Sequence, residues 1–137
     1  HFAYLEDVDL GYRARIDGFE NWYTPEAKVY HVGSATTGTR YNEKKVFLAA
    51  RNTIFVIYKN MPLLQLFINL PFILAGMIVK TLFFVKKGFA KDYWSGICEG
   101  VRDCHKCRKV SFTGKNLPHY LKIQLELWGN IGRILGA

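Results

Sequence analysis

Glu6, Asp7 and Asp9 put three carboxylates into four residues near the start of the chain. A carboxylate beside a hydroxyl can take its proton as the oxygen attacks an electrophilic carbon. The same residues also have a plain structural use. Acids in a helix's first turn meet unpaired N–H groups and the positive end of the helix dipole. Further on stands His31, whose neutral imidazole could complete a divalent-metal site built of carboxylate and phosphate oxygens. A hydrogen-bonded surface histidine is the ordinary alternative. Arg40, in the following loop, offers a guanidinium suited to phosphate.

The elements that must hold these residues can be read from pattern. Residues 5–17 predict a helix, with Glu6 and Asp7 in its first turn and Gly18 as its stop. Residues 20–24 and 27–32 predict two short strands separated by Pro25, since Val29 and Tyr30 favour extended backbone. Gly33 to Thr39 reads as a polar loop. A helical pattern returns over 42–60, with Val46, Phe47, Ala50, Ile54, Ile57 and Tyr58 on one broad face. Residues 91–109 predict an amphipathic helix with Trp94, Ile97, Val101 and Cys104 on one side. In 117–136, Leu121, Ile123, Leu125 and Leu127 alternate as a strand would. Leu121, Leu125 and Trp128 also make a helical stripe, and helix is preferred.

Charge is unevenly spread. Residues 1–43 carry four Lys+Arg against seven Asp+Glu, and residues 44–137 carry fifteen against four. The net charges are therefore −3 and +11. Basic residues interleaved with long apolar runs fit an anionic lipid surface better than nucleic acid. Met61 to Val79 is nineteen residues without a charge, long enough to cross a bilayer. Yet it contains Pro62 and Pro71, and basic residues flank it on both sides, which disfavours a single crossing. A helix broken near Pro71, dipping into the leaflet or lying in the interface, is expected, with a buried core helix or hairpin as the alternative. Three cysteines do not suggest a disulfide framework. Cys104 and Cys107 have zinc-ligand spacing but lack a second pair. Cys98 and Cys104 suit the apolar side of a helix.

The order Glu6-Asp7-Val8-Asp9-Leu10, Arg13 and Arg15, Gly18, Tyr23-Thr24-Pro25 and His31 resembles the acceptor-side half of inverting glycosyltransferases of family two. The match covers about residues 2–60 and ends in Arg51-Asn52 and Lys59-Asn60-Met61-Pro62. By this resemblance the fold is α/β: residues 1–60 would be the C-terminal part of a GT-A domain, a helix plus short strands. Residues 61–137 would be a basic, amphipathic helical region seeking the membrane.

The resemblance implies that Asp7 is the catalytic base, with Glu6 and Asp9 supporting the acceptor or nearby basic groups. Arg13 and Arg40 would contact acceptor or phosphate, and His31 would be a metal ligand. The donor would be a nucleoside diphosphate sugar. Its divalent metal, Mg or Mn, would be held mostly by an Asp-x-Asp upstream of His1, in a donor half that this chain lacks. Asp7-Val8-Asp9 is not taken for that motif. The acceptor would be a saccharide hydroxyl, free or carried on a polyprenyl lipid, as in rhamnosyltransferase-like enzymes of bacterial cell-surface polysaccharide synthesis. A Gln-x-x-Arg-Trp motif is missing, which favours a non-processive enzyme at the cytoplasmic face of the membrane. No nucleic-acid partner is expected. The rival reading is a non-catalytic membrane-anchor or interaction module, in which the carboxylates only cap a helix.

Overall fold

The structure, a computed structural model, describes residues 4–28 and 41–136. Its elements are α1 (Glu6–Ile16), α2 (Glu43–Asn60), α3 (Leu63–Lys87), α4 (Ala90–Asp103), one turn of 3-10 helix (Cys104–Lys106) and α5 (Leu117–Leu135). No strand occurs among the described residues. The expected α/β GT-A portion is therefore corrected: the described chain is helical. Residues 20–24 are irregular, with Trp22 85% and Tyr23 87% exposed. β-propensity there has nothing to act on, because a strand needs a neighbour for its N–H and C=O groups. Of the second expected strand, residues 27 and 28 are irregular. The remainder, with the Gly33–Thr39 loop, lies outside the described residues.

Helix ends follow local chemistry. Before α1, Tyr4 and Leu5 both take the left-handed conformation, with φ of 68° and 65°. Such residues cost about 1–3 kcal/mol each and persist only where tertiary contacts hold them. Here Asn52, fully buried in α2, donates to the Tyr4 carbonyl at 3.0 Å. α1 closes at Gly18, whose φ of 91° suits glycine. Phe19 N–H bonds Ala14 C=O and Gly18 N–H bonds Arg15 C=O, the paired bonds of a Schellman end. A Cβ on Gly18 would also meet the His119 ring at 2.8 Å. Asn42 caps α2 by accepting from Lys45 N–H at 2.8 Å. α3 stops at Gly88 in the same way as α1.

Two small cores form. Val46 and Ala50 of α2 pack against Tyr93 and Ile97 of α4, with Met77 and Phe84 of α3 at the edge. Ile16 of α1 packs against Tyr120 and Ile123 of α5. The α2–α4 contact is set by two glycines. A Cβ at Gly96 would lie 2.3 Å from the Phe47 carbonyl oxygen, and one at Gly100 would lie 2.9 Å from that of Arg51. The buried face of α4 is thus Tyr93, Gly96, Ile97 and Gly100, whereas Trp94 and Val101 are exposed. This corrects the expected face at Trp94 and Val101, while Ile97 is buried as expected: close backbone approach brings the two glycines into the contact. Cys98 is exposed rather than a small core hydrophobe.

α3 also departs from expectation. It runs unbroken through Pro71 for 25 residues, about 37 Å. It is long and apolar enough to be membrane-associated. Its packing is inverted. Gln65 and Asn69 are its buried residues, while Leu63, Leu64, Phe67, Phe72, Leu74, Ile78, Val79 and Leu82 are exposed. Asn69 and Gln124 of α5 exchange amide hydrogen bonds of 2.7 and 3.1 Å. Two residues link α2 to α3, and Tyr41 before α2 meets the rings of Phe83 and Phe84 near the end of α3. These helices therefore run antiparallel, meeting at both ends.

Alanine should have opposite effects at two helical glycines. Gly96→Ala forces α2 and α4 apart and should destabilise by about 1–3 kcal/mol, as overpacking does. Gly129→Ala meets nothing within 4 Å and should stabilise by about 0.5–1 kcal/mol. Denaturant midpoints of the two variants against the parent chain check both signs.

Candidate active site

Asp9 is the best-held carboxylate of the cluster. It is 3% exposed, and three basic or amide groups converge on it. Lys59 Nζ lies 2.6 Å from Oδ2, Arg13 Nε lies 3.2 Å from the same atom, and Asn60 Nδ2 donates to Oδ1 at 2.8 Å. Burial pushes the Asp9 carboxyl up, but the Lys59 and Asn60 hydrogen bonds and the charges of Lys59 and Arg13 outweigh it. The pKa is held below the ordinary aspartate value. Arg13 faces this node. Lys59 and Asn60, which in the sequence only extended a motif, are the partners that fix Asp9.

The node extends to the other helices. The Asn60 carbonyl accepts from Tyr120 Oη at 3.1 Å, tying α5 to the end of α2. Tyr12 Oη donates to Gln65 Oε1 at 3.0 Å, tying α1 to α3, and burial pushes the Tyr12 phenol up. His119 at the start of α5 bonds the Ile16 carbonyl at 2.8 Å.

Asp7, two residues before Asp9, has a different setting. It is exposed in the first turn of α1, with Oδ1 accepting from Val8 N–H at 2.8 Å. It lines an open cavity of about 410 Å³ between α1 and α5. Val8, Gly11, Tyr12 and Arg15 complete the α1 wall; Ile123, Glu126, Leu127 and Asn130 form the α5 wall. Asn21 closes one side and donates to the Gly11 carbonyl at 3.2 Å. Arg15 and Glu126 form an ion pair across the cleft. The cavity therefore offers two solvent-accessible carboxylates, Asp7 and the Glu126 of the ion pair, and two amide side chains beside apolar surface. Such a surface can take a polyhydroxylated ligand and remove a proton from it.

Glu6 is exposed in the same turn but does not line the cavity. His31 and Arg40 lie outside the described residues. Among the described residues no three His, Cys, Asp or Glu side chains stand together as a metal site. The described residues therefore do not by themselves make a divalent-metal site. Arg15, Asn21, Glu126 and Asn130 were not singled out from the sequence as cleft residues. Glu126 left a faint signal, being the one acidic residue after Asp103.

The two aspartates should separate in stability. A depressed native pKa stabilises the fold above the unfolded value near 4, and that contribution is lost as pH falls through the native pKa. Stability of the parent chain should therefore fall below about pH 4, and Asp9→Asn should flatten this part of the profile. At pH 7, Asp9→Asn leaves Lys59 and Arg13 without their carboxylate and should cost about 3 kcal/mol. Asp7→Asn should change stability by less than about 1 kcal/mol, the scale of a helix-terminus charge. Urea titrations at several pH values measure all three effects.

Compared with protein-family models, with curated proteins and with solved structures, the chain matches none.

Proposed function

We propose that this chain carries the acceptor-side catalytic part of a sugar transferase working at a membrane surface. On this reading Asp7 is the general base. The acceptor hydroxyl gives its proton to Asp7 as its oxygen bonds the anomeric carbon of a nucleoside diphosphate sugar. The bond from that carbon to the diphosphate oxygen breaks, and the diphosphate leaves with the electron pair. The observation that carries the reading is the split within the carboxylate cluster: Asp9 is buried in an ion-pair node, and Asp7 stands exposed at the mouth of a cleft. The resemblance of residues 2–60 to family-two glycosyltransferases supports the choice of reaction. Arg15, Glu126 and Asn130 would meet the hydroxyls of the saccharide acceptor.

The membrane part of the proposal is that α3 lies in the plane of the cytoplasmic leaflet. α2 is tied to α3 at both ends and α4 packs on both, so the three helices share one depth. α2 begins with exposed Glu43 and Lys44, and α4 bears exposed Lys91 and Arg102. If α3 stood across the bilayer, α2 and α4 would stand across it too and their charged ends would have to pass through hydrocarbon to the far side, where a charge at the bilayer centre costs about 2.5–3.5 kcal/mol. An in-plane helix leaves them in water and buries the apolar surface of α3.

In the full-length protein, Asp7→Asn should lower sugar transfer by roughly 10²–10⁴-fold with the fold intact. Wild-type turnover in that variant would leave the carboxylates as helix-capping groups and favour a non-catalytic module.

The orientation has its own test. Cysteines placed at Lys45 and Lys109, in a background with Cys98, Cys104 and Cys107 changed to serine, should both label from the same side of sealed vesicles. Labelling from opposite sides would establish a crossing and discard the in-plane arrangement.

A further inference from the structure

We propose that α5 is a second membrane-contacting helix, seated on the same bilayer as α3 through Leu117, Leu121, Leu125 and Trp128. The inference rests on the in-plane reading of α3. These four side chains are all exposed, Leu121 at 58% and Leu125 at 67%. At 3.6 residues per turn they fall within roughly 80° of arc. Ile123, Glu126, Leu127 and Asn130 project from the opposite side and line the Asp7 cleft. α5 thus has a cleft face and an outward apolar face, and among the described residues nothing covers the latter.

Two observations select lipid as the occupant. The first is continuity with α3. An apolar groove of about 330 Å³ joins Leu63, Leu64 and Ile68 of α3 to Leu117 and Leu121 of α5, with Phe112 beside it. The Asn69–Gln124 amide pair clamps the two helices at this seam. The groove sets Leu117 and Leu121, the start of the α5 stripe, beside the apolar beginning of α3, so a leaflet that receives this part of α3 meets α5 as well, with acyl chains filling the groove. The second is charge. From Cys104 to Leu125 there is no acidic residue; Lys106 and Lys122 pair with Asp103 and Glu20, and Arg108, Lys109 and Lys115 add positive charge. That surround attracts anionic headgroups and repels a second copy of itself. Trp128, at the far end of the stripe, has the amphipathic ring favoured at a membrane–water boundary.

Trp128 also supplies the test. The full chain carrying Trp22→Phe and Trp94→Phe retains it as the sole tryptophan. The probe is vesicles of phosphatidylcholine with phosphatidylglycerol as the minor component, made with and without brominated acyl chains. Co-sedimentation reports binding, and Trp128 emission reports where α5 sits. The expected result is binding with a blue shift of Trp128 and quenching by brominated chains. Leu121→Glu and Leu125→Glu should each weaken binding about tenfold, with helix content unchanged. Bound protein whose Trp128 emission stays at its free wavelength, unquenched, would overturn the α5 contact and leave that of α3 standing. A blue shift without lipid that grows with protein concentration would assign the face to a second copy and overturn the proposal. Failure to bind the vesicles at all would remove both the α5 contact and the in-plane reading.

Discussion

The ion pair between Asp9 and Lys59 is the contact on which the remaining geometry depends. It joins the first turns of α1 to the last turn of α2 across fifty residues of chain. Asn60 stands next to Lys59, donates to the same carboxylate and offers its carbonyl to Tyr120 of α5. One short stretch, Lys59-Asn60, therefore holds three helices together. Taking these charges out of water is expensive, so the arrangement stands only because each oxygen of Asp9 is matched by a donor. Asp7 gains from this indirectly. Its position at the cleft is fixed by a carboxylate half a turn away that is itself withdrawn from chemistry.

The molecule is polar within and apolar without along one side. Asn52, Asn60, Gln65, Asn69 and Gln124 are buried, while leucine, isoleucine and phenylalanine cover α3. In water this arrangement would be wasteful, because buried amides need partners and exposed hydrocarbon orders solvent. Next to lipid both terms change sign or shrink. The apolar surface leaves water, and paired amides become the natural glue between helices. The close α2–α4 approach over Gly96 and Gly100 belongs to the same style of packing, in which backbone proximity replaces large interdigitating side chains.

Several elements were legible in the sequence for clear reasons. The acids and Gly18 delimit α1, and the uncharged run from Met61 marks α3. The alternation of Leu121, Ile123, Leu125 and Leu127 imitated a strand because α5 is apolar on two sides. Leu121 and Leu125 face outward while Ile123 and Leu127 face the cleft and core. The glycine face of α4 was missed because a hydrophobicity pattern rewards bulk. The sheet came from the resemblance and from β-propensity in 20–24, and such a segment stays irregular without a neighbouring strand. Asp7 could be picked from a local motif. The Asp9–Lys59 pair and the α5 wall of the cleft could not, since no local pattern reports on which distant residues will meet.

That last separation bears on how the protein is made. One wall of the cleft comes from residues 7–21 and the other from residues 123–130. During synthesis α2, α3 and α4 emerge and can pair while Asp7 still faces open solvent. Contacts between distant parts of a chain form late because loop closure must come first. A ribosome that stops before Leu117 would release a protein with its α2–α4 pair in place and no pocket beside Asp7. α5 is thus the element that gives Asp7 a facing wall: the pocket exists only once residues 123–130 have been made and have docked on α1.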